Sequence, residues 1–168
     1  MSAVSLRPYL PADAELCAAI FRASIEELAS EDYTSDQCAA WAARADDSAA
    51  FAKQLAEALT LIALYDGEPV GFASLKGADA IDMVYVDPAF ARRGVATALI
   101  DALARLAAAR GAKAVTAEVS DTARRLFERQ GFDAQRRNLV QLDGEWLANT
   151  TMTKRLAPQD DANQPVRH

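Results

Sequence analysis

IDMVYVDPAFARRGVATALIDALARLAAA, residues 81–109, decides the fold. Its first six residues place Ile81, Met83, Val84, Tyr85 and Val86 in an apolar, strand-like run. Asp87-Pro88 ends that run, because proline has no N–H to give to a ladder. A short basic loop follows, Ala91-Arg92-Arg93-Gly94. From Val95 the apolar residues fall at helical spacing, at Val95, Leu99, Leu103 and Leu106. A strand therefore feeds a tight glycine loop, and the loop opens a helix. The first N–H groups of a helix have no internal partners and carry the positive end of its dipole. Gly94 and Ala96 leave little bulk there, so a phosphate can rest on those amides. An ordinary strand–turn–helix connection has the same outline, and the weight must come from the rest of the chain.

The chain has 168 residues, 51% of them apolar, which fits one globular domain over 1–156. The last stretch, 157–168, is polar and aperiodic and reads as a mobile tail. No apolar run approaches 18 residues, so no spanning helix and no membrane partner is expected. The N-terminus lacks the basic and apolar regions of a signal peptide, which points to the cytoplasm. A net charge of −6 argues against nucleic-acid binding. Cys17 and Cys38 show neither metal nor redox spacing and read as reduced thiols. The one histidine, His168, is the last residue. A histidine-based triad or metal site is thus not expected, and no metal is assigned.

Outward from the loop, Val4 to Arg7 forms a first strand. Asp13 is a plausible N-cap for a helix carrying Leu16, Ile20, Phe21, Ile25 and Leu28. Thr34 and Gln37 have the spacing of a capping box, opening a helix to about Arg44. A third helix runs from about Asp47 to Ala58. The period then changes to strand-like runs at Leu59–Tyr65, Pro69–Leu75 and Ala80–Val86, the first two joined through Asp66-Gly67, a hairpin signal. Beyond the central helix, Gly111 supplies a stop. Ala114–Val119 is a strand. Ser120 or Asp121 caps a short helix with Ala123, Leu126 and Phe127, ending at Gly131. Phe132 to about Leu142 and Glu145 to about Lys154 form a last hairpin across Asp143-Gly144.

Val86-Asp87-Pro88, Arg92-Arg93-Gly94-Val95-Ala96 and the later Ala123-Arg124-Arg125-Leu126-Phe127-Glu128-Arg129-Gln130-Gly131-Phe132 together resemble the GNAT superfamily, the acyl-CoA-dependent N-acyltransferases. The resemblance spans about Leu6 to Leu156. Asp32-Tyr33, Ala40-Trp41-Ala42 and Gly144-Glu145-Trp146 are similar to its YafP-like branch. This likeness implies an α/β fold: a mixed, mostly antiparallel sheet of about seven strands, flanked by helices and splayed between the fourth and fifth. It implies acetyl-CoA as cosubstrate and an amine acceptor as partner, and leaves a homodimer open. Carried over residue by residue, Met83, Val84 and Val86 would meet the pantetheine arm. Arg92, Arg93, Gly94, Val95, Ala96 and Thr97 would cradle the pyrophosphate. An extended arm with amides also suits an unpaired strand edge.

The match departs from the family pattern in three places. Ala91 stands where the loop often begins with Gln or Arg. Phe127, a candidate contact of the cosubstrate, stands where many members carry a tyrosine held to protonate the departing thiolate. The segment Glu118–Asp121 is shorter than usual and lacks the frequent Asn. The reaction implied is attack of a neutral amine on the thioester. An alkylamine has a pKa near about 10, so a base is needed. Asp82 is the first choice. By strict alternation it shares a face with Val84, while Tyr85 points the other way. Glu118, across the splay, is the second. Tyr85 is a candidate proton donor in place of Phe127, and a fourth-strand N–H near Val84 is the natural oxyanion donor. Tyr33, Trp41 and Asp82 are candidates for the acceptor pocket. Arg124 and Arg125 are candidate phosphate contacts. Two functions follow: an N-acetyltransferase for a primary amine, acting in a ternary complex, or a non-catalytic module that senses acyl-CoA.

Overall fold

The computed structural model describes residues 3–157. Of the expected tail, 157–168, all but its first residue lies outside the described residues. Seven strands form one sheet in the order β1-β2-β3-β4-β5-β7-β6. They are β1 (Val4–Pro8), β2 (Leu59–Tyr65), β3 (Glu68–Lys76), β4 (Ala80–Val86), β5 (Ala114–Ser120), β6 (Asp133–Leu142) and β7 (Glu145–Arg155). Every neighbouring pair is antiparallel except β4–β5, which is parallel. Both Asp-Gly hairpins form as expected. Asp66 and Gly67 have φ of 49° and 86°, and Asp143 and Gly144 have 46° and 81°, the left-handed pairs that two-residue turns require.

Helices cover both faces. On one side α4 (Val95–Ala109) and α5 (Arg124–Arg129) pack over a core of Leu75, Leu99, Ile100, Leu103, Val115, Phe127, Phe132 and Met152. On the other, α1 (Ala14–Leu28), α2 (Ser35–Ala42) and α3 (Ser48–Glu57) pack over Phe21, Ile25, Phe51, Leu55, Phe72, Met83 and Leu147. Leu99 and Leu103 lie one turn apart and are fully buried; each stabilises the fold by about 1.5–3 kcal/mol.

The expected capping box opens α2. Thr34 Oγ1 accepts from the Gln37 N–H at 3.1 Å, and Gln37 Oε1 accepts from the Thr34 N–H at 2.9 Å. Asp13 differs from expectation. It ends a 3₁₀ turn (Pro11–Asp13) and already has helical backbone, φ −83°. An N-cap side chain reaches its amides from extended backbone, so Asp13 makes no cap. Its carboxylate instead accepts two bonds from the Arg7 guanidinium, at 2.8 and 2.9 Å, and one from the Leu10 N–H at 2.8 Å. Arg7 is the main reason that the Asp13 pKa lies below its ordinary value. The half-buried clamp ties β1 to the start of α1.

Two features of β4 position the cleft. The first is the splay: β4 and β5 pair only at Ala80↔Thr116 and Ile81↔Ala117, then part. The second is a bulge. The β3–β4 register steps from Leu75↔Ile81 to Ser74↔Met83, leaving Asp82 unpaired. An extra residue resets the alternation of side chains. Ile81 belongs to the α4-side core, Met83 to the α1–α3 side, and Val84 packs on the α4 side again. The expectation that Asp82 shares a face with Val84, opposite Tyr85, is therefore corrected. Asp82 Oδ2 accepts from Gln54 Nε2 of α3 at 2.8 Å, on the side that Met83 and Tyr85 occupy.

Candidate active site

The divergence of β4 and β5 opens a cleft of about 1170 Å³. Residues from both faces of the sheet line it, so it runs through the splay. Ile25, Leu28 and Trp41 wall the end under α1 and α2; Arg92, Thr97, Arg125 and Phe127 wall the end under α4 and α5. The unpaired edge of β4 runs between them. The Asp87 N–H bonds to the Val70 carbonyl of β3 at 2.8 Å. Strand alternation then turns the N–H and C=O of Tyr85 and Met83 towards β3, and those of Val86 and Val84 towards the opening. Gly71 of β3 admits this close approach, because a Cβ there would lie 3.1 Å from the Tyr85 carbonyl oxygen.

The loop beyond β4 is shaped by local chemistry. Asp87 Oδ1 accepts from the Ala89 N–H at 2.9 Å, fixing the turn at Pro88. Arg92 and Gly94 then take left-handed φ of 64° and 81°. Gly94 caps α4 without a side-chain bond. The first intrahelical bond is the Ala98 N–H to the Gly94 carbonyl, at 3.0 Å. The N–H groups of Val95, Ala96 and Thr97 are therefore without helical partners and face an end of the cleft that carries Arg92, Arg125 and Arg129. The helix dipole and three cations favour an anion there.

Two sequence expectations for this end change. The Arg93 guanidinium lies 5.4 Å above both the Tyr65 and Phe90 rings, and Arg93 does not line the cleft. Cation–π stacking on two rings competes successfully with an exposed position in the cradle. Arg124 pairs with Glu128 at 3.0 Å, whereas Arg125 and Arg129 reach the cleft. The sequence reading missed Arg129. Its i,i+4 spacing from Arg125 on a helix is the signal that finds it.

The other end is acidic. Glu31, Asp32, Asp82, Glu118 and Asp121 line it. Asp121 is held by Arg137 through bonds of 2.9 and 3.0 Å, but among the described residues the other four have neutral partners or none. Val115, Ala117 and Val119 point into the α4-side core, so alternation sends Glu118 to the opposite face, with Asp82 and Tyr85. Glu118 Oε2 accepts from Asn138 Nδ2 at 2.9 Å and Thr151 Oγ1 at 2.8 Å. Asn138, Thr151 and Gln54 were not among the sequence candidates. The hairpin register pairs Asn138 with Asn149, but the contact with Glu118 needs the β5–β7 pairing as well, which no local pattern announces.

Trp41 walls the cleft, and its Nε1 donates to Tyr85 Oη at 3.2 Å. Burial pushes the Tyr85 phenol up to about 12, so it stays protonated at neutral pH. Tyr33 departs from expectation. It is 7% exposed and does not line the cleft. Its hydroxyl donates to the Ala148 carbonyl at 2.6 Å and accepts from the Asp121 N–H at 2.9 Å. A phenol with a donor and an acceptor within reach is drawn into the interior, and Tyr33 stands behind Trp41, their rings 5.5 Å apart. Phe127 lines the cleft but is 4% exposed, packed 5.0 Å from Phe132. Among the described residues no cluster of metal-ligating side chains occurs, and no helix is long and apolar enough to cross a membrane.

Residues 29–156 match the family model of the acetyltransferase (GNAT) domain. The chain is 35% identical over 159 residues to the uncharacterized N-acetyltransferase YafP of Escherichia coli (strain K12), covering 95% of this chain and 99% of that protein. A crystal structure of a GCN5-related N-acetyltransferase from Rhodopseudomonas palustris superposes with a TM-score of 0.91 at 58% identity, over 93% of this chain and 98% of that one. The phosphinothricin acetyltransferase of Sinorhizobium meliloti, solved with acetyl-CoA, has the same fold. Its TM-score is 0.68 at 20% identity, over 99% of this chain and 95% of that one.

Proposed function

This chain belongs to the GNAT family of N-acetyltransferases, and from that premise we propose that it moves an acetyl group from acetyl-CoA to a primary amine by direct attack, both substrates being bound together. The observation that carries this reading is the polarity of the cleft: uncapped amides with Arg92, Arg125 and Arg129 at one end, unpaired β4 backbone in the middle, carboxylates at the other. The residues fit the cosubstrate. The amides of Val95, Ala96 and Thr97 would hold its diphosphate, and the edge of Val84 and Val86 would pair with its pantetheine amides. Acetyl-CoA bound to the phosphinothricin acetyltransferase named above supports the same cosubstrate here. What acetyl-CoA supplies is an activated acyl carbon and a thiolate able to leave.

The chain's own residues would do the rest. A carboxylate on the acceptor side, Asp82 or Glu118, first holds the incoming ammonium and then takes its proton, directly or through one water. The Val84 N–H meets the carbonyl oxygen as charge builds on it. Tyr85 has its oxygen occupied by Trp41 and its proton free for the cleft. Burial raises its pKa, and a thiol titrates at about 8.5, so the thiolate needs no proton from the phenol in order to leave. Tyr85 thus serves as a hydrogen-bond donor, and the thiolate departs as the anion, which explains how Phe127 is tolerated. The cytoplasm, where both cysteines would remain the free thiols that they are in the structure, is the proposed site of action.

The test is a thiol-release assay over a panel of amines beside a calorimetric acetyl-CoA titration. Release of CoA that depends on both substrates supports transfer. Tight binding with no release on any amine overturns it in favour of an acyl-CoA sensor, the reading that Phe127 by itself would favour.

A further inference from the structure

We propose that Asn138 is the positioning residue that holds Glu118 as the proton acceptor of the transfer, acting with Thr151 from the neighbouring strand. The inference rests on the transfer reading above and deepens it by choosing between the two carboxylates. Thr151 lies directly opposite Glu118 in the β5–β7 register. Its hydroxyl donates to Oε2 at 2.8 Å, and Asn138 Nδ2 donates to the same oxygen at 2.9 Å. Asn138 Nδ2 also lies 2.8 Å from Thr151 Oγ1 and 3.0 Å from Asn149 Oδ1. Behind it, Arg136 Nε donates to Asn138 Oδ1 at 2.9 Å. That bond decides the amide's orientation, since its oxygen must face the guanidinium and its NH₂ must face Glu118. The guanidinium also polarises the amide and strengthens the bond on its far side.

Three consequences single out Glu118. All its donors sit on Oε2, and among the described residues Oε1 takes no hydrogen bond, so one oxygen is left for a proton. The donors come from two paired strands, and rigid strands hold a group better than a single flexible side chain does. Asp82 by contrast has one partner, Gln54, whose long side chain leaves α3. The donors are also neutral, so they hold the carboxylate without placing a charge on it that would repel an incoming ammonium.

The test compares Asn138→Leu, Thr151→Val and Thr151→Ser with the wild type. Losing either donor frees the carboxylate from the position in which it meets the amine, so the cost must fall on kcat and not on acetyl-CoA affinity. Asn138→Leu is expected to lower kcat/KM at pH 7 about tenfold, mostly in kcat, with acetyl-CoA affinity within twofold. Thr151→Val should act in the same direction, and Thr151→Ser, which keeps the hydroxyl, should restore the wild-type profile. A double-mutant cycle supplies the second readout: in a Glu118→Gln background, Asn138→Leu and Thr151→Val should each cost less than twofold further, because their effect runs through Glu118. Wild-type kcat in both folded variants, or a full tenfold loss that persists in the Glu118→Gln background, overturns this inference alone. A wild-type protein that binds acetyl-CoA and releases no CoA on any amine overturns the transfer reading and the proton-accepting role together.

Discussion

Replacing Gly94 by Asp and, separately, by Asn isolates the electrostatic part of the anion cradle. Gly94 has a φ of 81°, and a Cβ built on it meets no atom within 4 Å, so either side chain has room. Asn and Asp both visit left-handed backbone more readily than other residues, at a shared cost of about 1 kcal/mol. They have the same shape, and their difference reads charge. With the carboxylate roughly 5 Å from a phosphate and an effective dielectric between about 20 and 80, repulsion is about 0.8–3 kcal/mol per charge pair. Acetyl-CoA should then bind the Asp variant roughly four- to 150-fold more weakly than the Asn variant. The gap should narrow in salt, because the screening length falls from about 10 Å at 0.1 M to about 3 Å at 1 M. Stability should move the other way: a negative charge at the start of α4 is favourable by about 0.3–1 kcal/mol, so the Asp variant should melt no lower than the Asn variant. Isothermal calorimetry and thermal melts measure both. Equal affinities within twofold, with both variants folded by circular dichroism, would refute a phosphate on the α4 amides.

Four further outcomes are expected. Asp82→Asn should raise KM for the amine while changing kcat less than tenfold, and Glu118→Gln should lower kcat/KM by about 10²-fold or more; the reverse ranking in the thiol-release assay would return the proton-accepting role to Asp82. Phe127→Tyr should alter kcat by less than tenfold in either direction, and an inactive wild type made active by it would support the sensor. Tyr85→Phe should cost about 1 kcal/mol of stability through the lost Trp41 bond and less than tenfold in kcat, whereas a fall of 10²–10⁴ would make Tyr85 a true general acid. Asp13→Asn should destabilise by about 1–3 kcal/mol at pH 7. The Asp13 pKa is held below its ordinary value by Arg7, so its contribution is whole above that value and is lost as pH falls through the lower folded one. Urea melts of wild type and variant should converge in that acid range.

Where a local pattern carries the physics, the sequence is a good guide. The two Asp-Gly turns need consecutive left-handed residues, and each marks its hairpin. Thr34 and Gln37 satisfy each other's backbone groups, and α2 begins there. The glycine loop before α4 is legible for the same reason, since only the backbone has to be right. Side chains in that loop are less so. Arg92 and Arg93 are adjacent and chemically equal, yet one lines the cleft and the other stacks on Tyr65 and Phe90. The rings come from β2 and from the turn after β4, a meeting that only the folded sheet arranges. Tyr33 is lost to the interior in the same way, through a carbonyl 115 positions away in the chain.

Asp82 shows how a single residue can reverse a site. An apolar run with a period of two gives each side chain a face only while the ladder is unbroken. In β4 the run Ile81-Asp82-Met83-Val84-Tyr85-Val86 looks unbroken, because a bulge has no compulsory residue of its own. The register nevertheless skips Asp82. The slip falls one residue beyond Ile81, the last pair that β4 makes with β5. A bulged strand bends and twists more strongly, so the irregularity that misplaces Asp82 in a strict alternation also helps to turn β4 away from β5. Without the extra residue, Asp82 would join Val84 on the α4 side, where the cosubstrate's arm is expected. With it, Asp82 faces Gln54 and shares the acidic end of the cleft with Glu118 and Tyr85. One bulge thereby separates the two halves of the cleft by chemistry, apolar edge and amides on one side and carboxylates on the other, which is the separation that an anionic thioester and a cationic amine both require.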